Sequence, residues 1–446
     1  MHKIERLLQT LAPKGVEFKT LEEVFEIKNG YTPSKKNPEF WKNGTIPWFR
    51  MEDIRENGRI LKDSIQHITP KALKGKKLFP KNSIIISTTA TIGEHALLIV
   101  DSLANQRFTF LSKKANCNLA LDMKFFFYQC FLLGEWCKNN INVSGFASVD
   151  MPAFKKYKFP IPPLEIQQEI VKILDAFTEL NTELNTELKA RKKQYQYYQN
   201  MLLDFNDINQ NHKDAKMSAK PYPKRLKTLL QTLAPKGVEF RKLGDIGEYI
   251  RGVTYKKNQE INNLECGIKV LRANNITLSN HLNFEDIKVI NKNVKIRKEQ
   301  YLKKNDILIC AGSGSSEHIG KVAFINTDFD YVFGGFMGVI RIREVNSRFV
   351  YHIFTSNIFK QYLEKSLNTT TINNLNANIL QNFLIPIPPL EIQQEIVKIL
   401  DQFSLLTTDL LAGIPAEIKA RKKQYEYYRE KLLTFKPLTP HKEVKK

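Results

Sequence analysis

Apolar residues recur at helical spacing over a long stretch in the first half of the chain. They stand at Ile166, Ile170, Ile173, Phe177, Leu180, Leu184 and Leu188, and resume at Tyr195, Tyr198, Leu202 and Phe205. Most steps alternate between four and three residues, which is the spacing of a coiled-coil seam. About 40 residues at 1.5 Å each predict a helix of roughly 60 Å. Such a helix cannot bury its apolar stripe alone, so the pattern also predicts a partner helix.

The chain carries a second copy of this helical tract. Three sequence blocks occur twice: residues 160–175 and 386–401, residues 189–195 and 419–425, and residues 7–18 and 229–240. A repeat period of about half the chain indicates one unit duplicated within one polypeptide. The apolar residues of the second tract are Ile392, Ile396, Ile399, Phe403, Leu406 and Leu410. We expect the two tracts to pair antiparallel within one chain, and a parallel homodimeric coiled coil is the alternative.

The tracts differ in their middle parts. The first contains the unit Thr-Glu-Leu-Asn at Thr178 and Thr182, and again as Thr-Glu-Leu at Thr186. Each four-residue unit adds about 6 Å of helix. The second tract contains Gly413 and Pro415, which predict a break and a restart with the proline in the first helical turn. Residues 206–224 are polar and contain prolines, so they are predicted to be a linker.

Two segments between the repeated blocks have the character of mixed domains. In the first of them, residues 19–159, short β-rich runs at 44–49, 83–87 and 108–111 alternate with turns, and 123–138 is helix-like. That mixture predicts an α/β or α+β domain. The second segment, residues 241–385, has the same framework, since residues 46–54 align with 268–276 and bring Arg50 onto Arg272. We therefore predict one shared fold with different surface residues.

The charge of the chain points to a polyanionic partner. The net charge is +22 and the pI is about 9.5, and nucleic acid is the commonest partner of such proteins. The alternative is a basic surface that serves solubility alone, and an anionic membrane surface is less favoured. The five cysteines are scattered, and no apolar stretch approaches the roughly 20 residues needed to span a bilayer. We expect a cytoplasmic protein with free thiols.

Known catalytic motifs are missing or incomplete. Gly312-Ser-Gly314 begins like a dinucleotide fingerprint, but Glu317 stands where a third glycine is required. Gly320-Lys321 resembles the end of a phosphate loop, yet Val322 follows in place of a hydroxyl residue. The Asn/Asp-Pro-Pro-aromatic tetrad of amino-methyltransferases is absent, and no histidines have metal-ligand spacing. A binding protein is therefore favoured over an enzyme such as a fused nuclease or methyltransferase.

Several polar and basic residues of the two segments suit DNA contacts. Arginine reads guanine, asparagine and glutamine read adenine, and serine, threonine and lysine suit phosphates. The candidates in the first segment are Lys35, Lys36, Trp48, Arg50, Thr88, Thr89, Thr91, Gln106 and Arg107. Those in the second are Arg251, Lys256, Lys257, Arg272, Asn274, Asn275, Ser313, Ser315, Ser316, Thr370 and Asn373. Each residue alone is weak evidence, because solvated loops contain the same types.

The layout as a whole resembles the specificity subunit of type I restriction-modification systems. The residues that carry the resemblance are the paired blocks 160–175 and 386–401, the paired blocks 189–198 and 419–428, the Thr-Glu-Leu-Asn spacer, Ile46-Pro-Trp-Phe49 and Thr89-Ala-Thr-Ile-Gly93. The resemblance implies an α+β protein in which two α/β target recognition domains are joined by two long antiparallel coiled-coil helices in a pseudo-twofold repeat. The implied divisions are 1–159 and 216–385 for the recognition domains, and 160–215 and 386–446 for the helical spacer regions.

The resemblance also implies a function. Each recognition domain would read one half of a bipartite, asymmetric site in double-stranded DNA, while the helical regions dock two methyltransferase subunits and motor-nuclease subunits complete the complex. S-adenosylmethionine, ATP and Mg²⁺ would belong to those partners, with no cofactor on this chain. One departure is Cys310-Ala-Gly-Ser-Gly314 in place of Ser87-Thr-Thr-Ala-Thr91, so the contact loops need not superpose. The alternative is a stand-alone DNA-binding regulator or scaffold without methyltransferase partners.

Overall fold

The chain forms two compact units, and the first of them is made of two segments that are far apart in sequence. The computed structural model describes residues 2–75, 77–142, 147–205, 222–261, 266–313, 318–367, 375–408 and 413–438. The first unit comprises Met1–Glu183 with Ala420–Lys446, and the second comprises Leu184–Lys419. Each unit therefore contains parts of both helical tracts and one of the two segments between the repeated blocks, called here the variable segments (residues 19–159 and 241–385). The domain boundaries given by the sequence stay a prediction.

The described residues contain helices and strands in similar order in both halves. The helices are α1 (His2–Leu11), α2 (Leu21–Val24), α3 (Met51–Asn57), α4 (Met123–Asn139), α5 (Met151–Lys155), α6 (Leu164–Leu203), α7 (Lys224–Leu233), α8 (Leu243–Ile246), α9 (Ser347–Phe354), α10 (Asn357–Leu367), α11 (Ala377–Gln381), α12 (Leu390–Thr408) and α13 (Ile414–Leu433). The strands of the first half are β1 (Glu17–Thr20), β2 (Phe25–Asn29), β3 (Ile46–Phe49), β4 (Ile60–Leu61), β5 (His67–Ile68), β6 (Ile84–Ser87), β7 (His95–Leu98), β8 (Leu103–Ala104), β9 (Phe108–Lys113), β10 (Ile141–Asn142), β11 (Ser148–Val149) and β12 (Lys158–Ile161). The strands of the second half are β13 (Glu239–Lys242), β14 (Gly247–Arg251), β15 (Glu260–Ile261), β16 (Ile268–Leu271), β17 (Lys288–Ile290), β18 (Ile307–Cys310), β19 (Val322–Phe324), β20 (Tyr331–Phe333), β21 (Met337–Ile342) and β22 (Leu384–Ile387). The predicted strands near 44–49, 83–87 and 108–111 and the helix near 123–138 are confirmed.

The two variable segments have matching sheets. In the first unit one sheet has the order β2-β9-β6-β7-β4 and another the order β5-β3-β8. In the second unit the corresponding orders are β14-β21-β18-β19 and β15-β17-β16-β20. Parallel pairing of β3 with β8 sets Trp48 beside Leu103, and parallel pairing of β16 with β20 sets Val270 beside Val332. The shared fold predicted from the aligned frames is confirmed.

The repeated blocks close each domain in the same way. The strand β1 pairs antiparallel with β12, and β13 pairs antiparallel with β22. In each half, the pair joins the first repeated block (residues 7–18 or 229–240) to the proline-containing start of the block that leads into the helical tract (residues 160–175 or 386–401). The central strands Ile84–Ser87 and Ile307–Cys310 are fully buried, which explains their nearly continuous run of β-branched and aliphatic residues.

In the first unit α6 and α13 run antiparallel. At the start of α6, the Gln167 side chain accepts a hydrogen bond from the Asp122 amide just before α4 (2.8 Å). Further along α6, Phe177 stacks on Tyr428 of α13, with ring centroids 5.6 Å apart. Two residues after α13 ends, the Phe435 ring contacts the ring of Phe125 near the start of α4, with centroids 6.3 Å apart. Since Phe125 lies one turn from the residue that Gln167 holds, the two helices run in opposite directions.

In the second unit the remaining part of α6 packs on α12. Tyr198 stacks on Phe403 with ring centroids 5.1 Å apart, and Ile392 and Ile396 of α12 are fully buried. The intrachain pairing predicted from the apolar spacing is confirmed. One detail of the predicted seam is wrong: Leu406 is exposed, so it does not contribute to the buried stripe. Leu410 lies outside the described residues.

The predicted interruption of the second tract is confirmed. The described part of α12 extends to Thr408, Gly413 is not helical, and α13 begins at Ile414 with Pro415 in its first turn, where a proline costs no helical hydrogen bond. In the predicted linker 206–224, helix α7 begins at Lys224, and residues 206–221 lie outside the described part of the chain. Within the described residues, no helix combines the length and apolar character needed to cross a membrane.

Candidate DNA-binding surfaces

A polar cavity of about 390 Å³ opens in the first unit where β3, β6 and the turn before β9 end. Its residues are Thr32, Lys35, Trp48, Arg50, Met51, Glu52, Arg55, Ser87, Thr91, Asn105, Gln106, Arg107 and Phe108. Arg50 directly precedes α3, and its amide donates to Asp53 Oδ2 (2.6 Å). Asp53 is fully buried and its other oxygen accepts from the Ile65 amide (2.6 Å). The buried carboxylate thus fixes the backbone from which Arg50 extends.

The second unit has a corresponding cavity of about 860 Å³. Its residues are Arg251, Val253, Thr254, Tyr255, Lys257, Glu260, Arg272, Ala273, Asn274, Gly312, Ser313, Gly334, Gly335, Phe336 and Met337. The Arg272 amide donates to Asn275 Oδ1 (2.8 Å), and the fully buried Asn275 amide donates to the carbonyls of Asn283 (2.9 Å) and Asp286 (3.2 Å). Asn275 therefore fixes Arg272 as Asp53 fixes Arg50.

Arg50 and Arg272 occupy equivalent positions and share an unusual property. Their side chains are 28% and 29% exposed, and each Nε is buried without a hydrogen-bond partner among the described residues. The Arg50 guanidinium lies 5.9 Å from the Trp48 ring centroid, and Arg272 Nη2 donates to Asp286 Oδ2 (2.7 Å). A partly exposed guanidinium at the wall of a cavity suits the acceptor edge of a guanine or a phosphate oxygen.

Two equivalent glycines, Gly30 and Gly252, each bring a turn close to one of the cavities. The Gly30 amide donates to Phe108 O (2.9 Å), and the Gly252 amide donates to Met337 O (3.1 Å). A Cβ atom at Gly30 would overlap the Asn105 carbonyl oxygen, and one at Gly252 would overlap that of Gly334. Only glycine allows this approach. The signal in the sequence was a glycine at the same place in both frames.

Most predicted contact residues of the first unit gather at its cavity. Lys35, Arg50, Thr91, Gln106 and Arg107 line it, together with Trp48. Lys36, which follows the cavity residue Lys35, is exposed, and Thr89 is partly buried. The assignment of these residues to DNA contact stays a prediction.

Two of the first-unit candidates are corrected by their burial. Trp48 is 2% exposed, and its indole N–H donates to Tyr31 O (2.9 Å). Thr88 is buried, and its hydroxyl bonds that of Thr109 (3.0 Å). Both side chains are held within the fold by these partners, so they support the cavity wall and leave little surface with which to contact a ligand.

In the second unit the candidates divide in the same way. Arg251, Lys257, Arg272, Asn274 and Ser313 line the cavity, and Lys256 is exposed next to Lys257. Asn275 is corrected, because its amide is occupied by the buried bonds that hold Arg272. The remaining candidates lie outside the described residues: Ser315, Ser316, Thr370 and Asn373.

Three buried titratable groups of the first unit have strongly shifted pKa values because they lie in its hydrophobic core. Burial lowers the pKa of His95 to about 3, and the ring lies edge-on to Phe131 at 4.6 Å between centroids. Burial raises the pKa of the Cys130 thiol well above its usual value and that of Cys137 to about 12. Cys117, Cys130, Cys137 and Cys310 are free thiols. The described residues contain no cluster of three or more His, Cys, Asp or Glu side chains suited to a metal ion.

Comparison with known families agrees with the internal repeat. The family described as "Type I restriction modification DNA specificity domain" matches residues 13–193 and again residues 235–420. The chain belongs to this family. Its two matches coincide with the two halves of the duplicated sequence, so each half carries one specificity domain.

Similar proteins are type I restriction enzyme specificity subunits. The chain is 54% identical over 218 residues to the EcoprrI specificity subunit of Escherichia coli, covering 46% of this chain and 54% of that protein. It is 30% identical over 307 residues to the EcoR124I/EcoR124II specificity subunit of Escherichia coli (64% of this chain, 65% of that protein). A putative specificity subunit of Haemophilus influenzae is 32% identical over 299 residues (65% and 66%). The chain thus aligns with about half to two thirds of these relatives' lengths.

Solved structures share the fold. The S subunit of a type I restriction-modification system from M. genitalium superposes with a TM-score of 0.51 at 14% identity, covering 94% of this chain and 95% of that one. A chain from a structure of the type I R-M system superposes with a TM-score of 0.57 at 18% identity, covering 94% and 97%. The α+β fold with two recognition domains and long helices is that of the specificity domain family.

Proposed function

We propose that this chain is the sequence-specific DNA-binding subunit of a type I restriction-modification complex. In this proposal each unit reads one half of a bipartite, asymmetric site in double-stranded DNA. The observation that carries it is the pair Arg50 and Arg272, which stand at the same place in two cavities that are otherwise lined differently. Two domains that bind different base sequences are expected to share such a contact residue and to differ in the residues around it.

The residues that line the two cavities support recognition of different bases by the two units. In the first cavity the turn before β9 carries Gln106 and Arg107, whereas the equivalent turn of the second carries Gly335 and Phe336. Gln and Arg donate to base edges in the major groove, while Gly and Phe do not. The two halves of the site are therefore expected to differ in sequence. The net charge of +22 adds the phosphate attraction that supplies affinity independent of sequence.

The duplicated helical blocks support a complex with two copies of one partner. The blocks 160–175 and 386–401 are identical, and each leaves the same side chains exposed: Glu165, Gln168 and Lys172 in the first copy, and Glu391, Gln394 and Lys398 in the second. Identical surfaces bind identical proteins, so two methyltransferase subunits are the expected partners, joined by motor-nuclease subunits in the full complex. Methylation with S-adenosylmethionine and cleavage with ATP and Mg²⁺ would be carried out by those subunits in the cytoplasm. This chain would be non-catalytic.

The test uses the chain co-expressed with its methyltransferase in a host without adenine methylation of its own. Methylated positions are mapped by single-molecule sequencing for the wild type, Arg50→Ala and Arg272→Ala. Losing one bidentate contact costs about 1 to 3 kcal/mol of discrimination, so each variant should relax one half of the motif and leave the other unchanged. Lys14→Ala is the control, since Lys14 is exposed outside both cavities.

Two results would overturn the proposal. Relaxation of the same half by both arginine variants would contradict one reader per half. Failure of the methyltransferase to co-purify with the wild-type chain would favour a stand-alone DNA-binding protein.

A further inference from the structure

An exposed phenylalanine stands in the second cavity. Phe336 is 76% exposed, whereas Phe284, another phenylalanine of this unit with a largely exposed side chain, is 44% exposed. Arg251, Lys257 and Arg272 line the same cavity. Leaving a large apolar ring in water forfeits the free energy of its burial, so an exposed aromatic within a polar site suggests contact with a ligand.

The backbone that carries this ring is fixed. Phe336 O accepts hydrogen bonds from the amides of Ala311 and Gly312, both at 2.9 Å. The next residue, Met337, begins β21, and its amide donates to Gly334 O (2.8 Å). The ring is thus presented from a turn that is bonded on both sides, so little backbone freedom is lost when a partner covers it.

The first unit presents a different residue at this place. The bonds from Gly30 to Phe108 and from Gly252 to Met337 make Phe108 and Met337 equivalent. Phe336 therefore corresponds to Arg107, one residue earlier in each turn. Arginine can donate to the edge of a base, whereas phenylalanine offers only the face of its ring. The second unit must contact DNA at this point in another way.

The surroundings of Phe336 favour a nucleic acid over an apolar protein surface. Three cationic side chains line the cavity, and the acidic residue Glu260 in its wall forms an ion pair with Lys288 (3.7 Å). An aromatic face ringed by cations suits a base with its neighbouring phosphates. The half-buried Tyr255 lies in the same wall and adds a second aromatic surface.

We propose that Phe336 stacks on a base of the half-site bound by the second unit by partial insertion into a base step. This inference rests on the DNA-binding function proposed above. A wedge of this kind unstacks the step and selects sequences that deform easily, such as pyrimidine–purine steps. The second unit then reads part of its half-site through DNA deformability, while the first unit uses Arg107 at the same position.

The test uses the purified complex of this chain with its methyltransferase and a duplex that contains the mapped methylation motif. Affinity is measured for the wild type, Phe336→Ala and Phe336→Trp. Stacking on one base predicts a loss of roughly 5- to 150-fold for Phe336→Ala and near wild-type affinity for Phe336→Trp. Permanganate should modify an unstacked thymine of the second half-site in the wild-type and Phe336→Trp complexes but not in the Phe336→Ala complex. With the second half-site scrambled, wild type and Phe336→Ala should bind equally.

Leu278→Ala is the matched control, because Leu278 is 72% exposed in the same unit but lies outside the cavity. Its affinity and permanganate pattern should equal those of the wild type. Unchanged affinity and an unchanged permanganate pattern in Phe336→Ala would overturn the inference while leaving the proposed function standing. Reduced co-purification of the methyltransferase with Phe336→Ala would overturn it too, since the ring would then contact protein. If the wild-type complex shows no preference for its motif, the proposed function fails and this inference fails with it.

Discussion

His352 of α9 donates a hydrogen bond from Nε2 to Asp401 Oδ1 of α12 at 2.8 Å, inside the second unit. Arg348 Nε donates to the same oxygen at 2.9 Å. Asp401 ends the sixteen-residue block that occurs twice. The equivalent Asp175 accepts from the Tyr128 hydroxyl (2.7 Å) and from Lys124 Nζ (2.6 Å). One carboxylate thus fastens each recognition domain to its helix through different partners.

Removing the Asp401 carboxylate should destabilise the second unit. Burial lowers the pKa of His352, and the bond to Asp401 offsets only part of that effect. Burial alone would raise the pKa of Asp401, but His352 and Arg348 outweigh it and keep the carboxylate charged. Asp401→Ala leaves the fully buried imidazole without its acceptor, at a cost of about 1 to 3 kcal/mol.

Hydrogen–deuterium exchange of Ser347–Phe354 measures this cost, with faster exchange expected in Asp401→Ala. Asp175→Ala is the matched variant in the first unit, where Lys124 and Asp175 are each 35% exposed. Its effect on Met123–Asn139 should be smaller, because water can replace part of the contact. Equal exchange in Asp401→Ala and wild type would contradict the fastening role.

His95 should make the stability of the first unit depend on pH. Burial, with a smaller effect from the Arg59 charge, lowers the pKa of His95 to about 3, while an unfolded histidine titrates near 6.5. The unfolded chain therefore binds the proton first as the pH falls. The contribution of His95 to the free energy of unfolding is therefore present above pH 6.5 and declines progressively toward pH 3. At pH 5 the loss is about 2 kcal/mol.

Tryptophan fluorescence during urea unfolding follows this effect, because Trp41, Trp48 and Trp136 all lie in the first unit. His95→Phe retains a ring between Phe127 and Phe131 but has no titrating group. Its stability should change less between pH 6.5 and pH 5 than that of the wild type. The same pH dependence in both proteins would show that other groups are responsible.

Gly93 should tolerate no side chain. Its φ is +89°, and an added Cβ would lie 2.5 Å from the Gly134 carbonyl oxygen of α4. Gly58 has a φ of +80° but open space around it. Gly58→Ala should therefore cost only the backbone strain of about 1 to 3 kcal/mol, and Gly93→Ala should cost about 1 to 3 kcal/mol more because α4 must shift. Urea unfolding followed by tryptophan fluorescence compares them, and equal losses would contradict the close approach of the turn and the helix.

The helical tracts could be predicted because their signal is local. Apolar spacing, a duplicated partner and the pair Gly413 and Pro415 are all visible along the chain. The contacts that fasten the repeats could not be predicted, since Gln167 bonds Asp122 and Gln393 bonds Asn346. These partners stand in variable segments, and only folding brings them to the same place.

The sequence could predict which loops form the candidate site. It could not predict which side chains of those loops are exposed. Alignment of the frames placed Arg50 on Arg272, and both line cavities. Residue type favours Trp48 and Asn275 as contact residues, yet neighbouring strands and turns bury them. Burial depends on sheet pairing over long sequence distances, which residue type does not encode.

The Thr-Glu-Leu-Asn units should set the spacing between the two halves of the site. They lie within α6, where Thr182 Oγ1 bonds the Thr178 carbonyl (2.8 Å). Deleting residues 182–185 removes about 6 Å of helix, and a base pair rises about 3.4 Å, so the accepted spacer should shorten by one to two base pairs. Methylation mapping of the variant measures this. An unchanged spacer would show that α6 does not set the distance.

The most direct measurement replaces residues 241–385 with the corresponding segment of another member of the family and maps methylated adenines in cells. The wild-type chain should yield a motif of two specified parts separated by unspecified bases. The exchange should change one part and preserve the other. A change in both parts, or a single continuous motif, would contradict one reading domain per half-site.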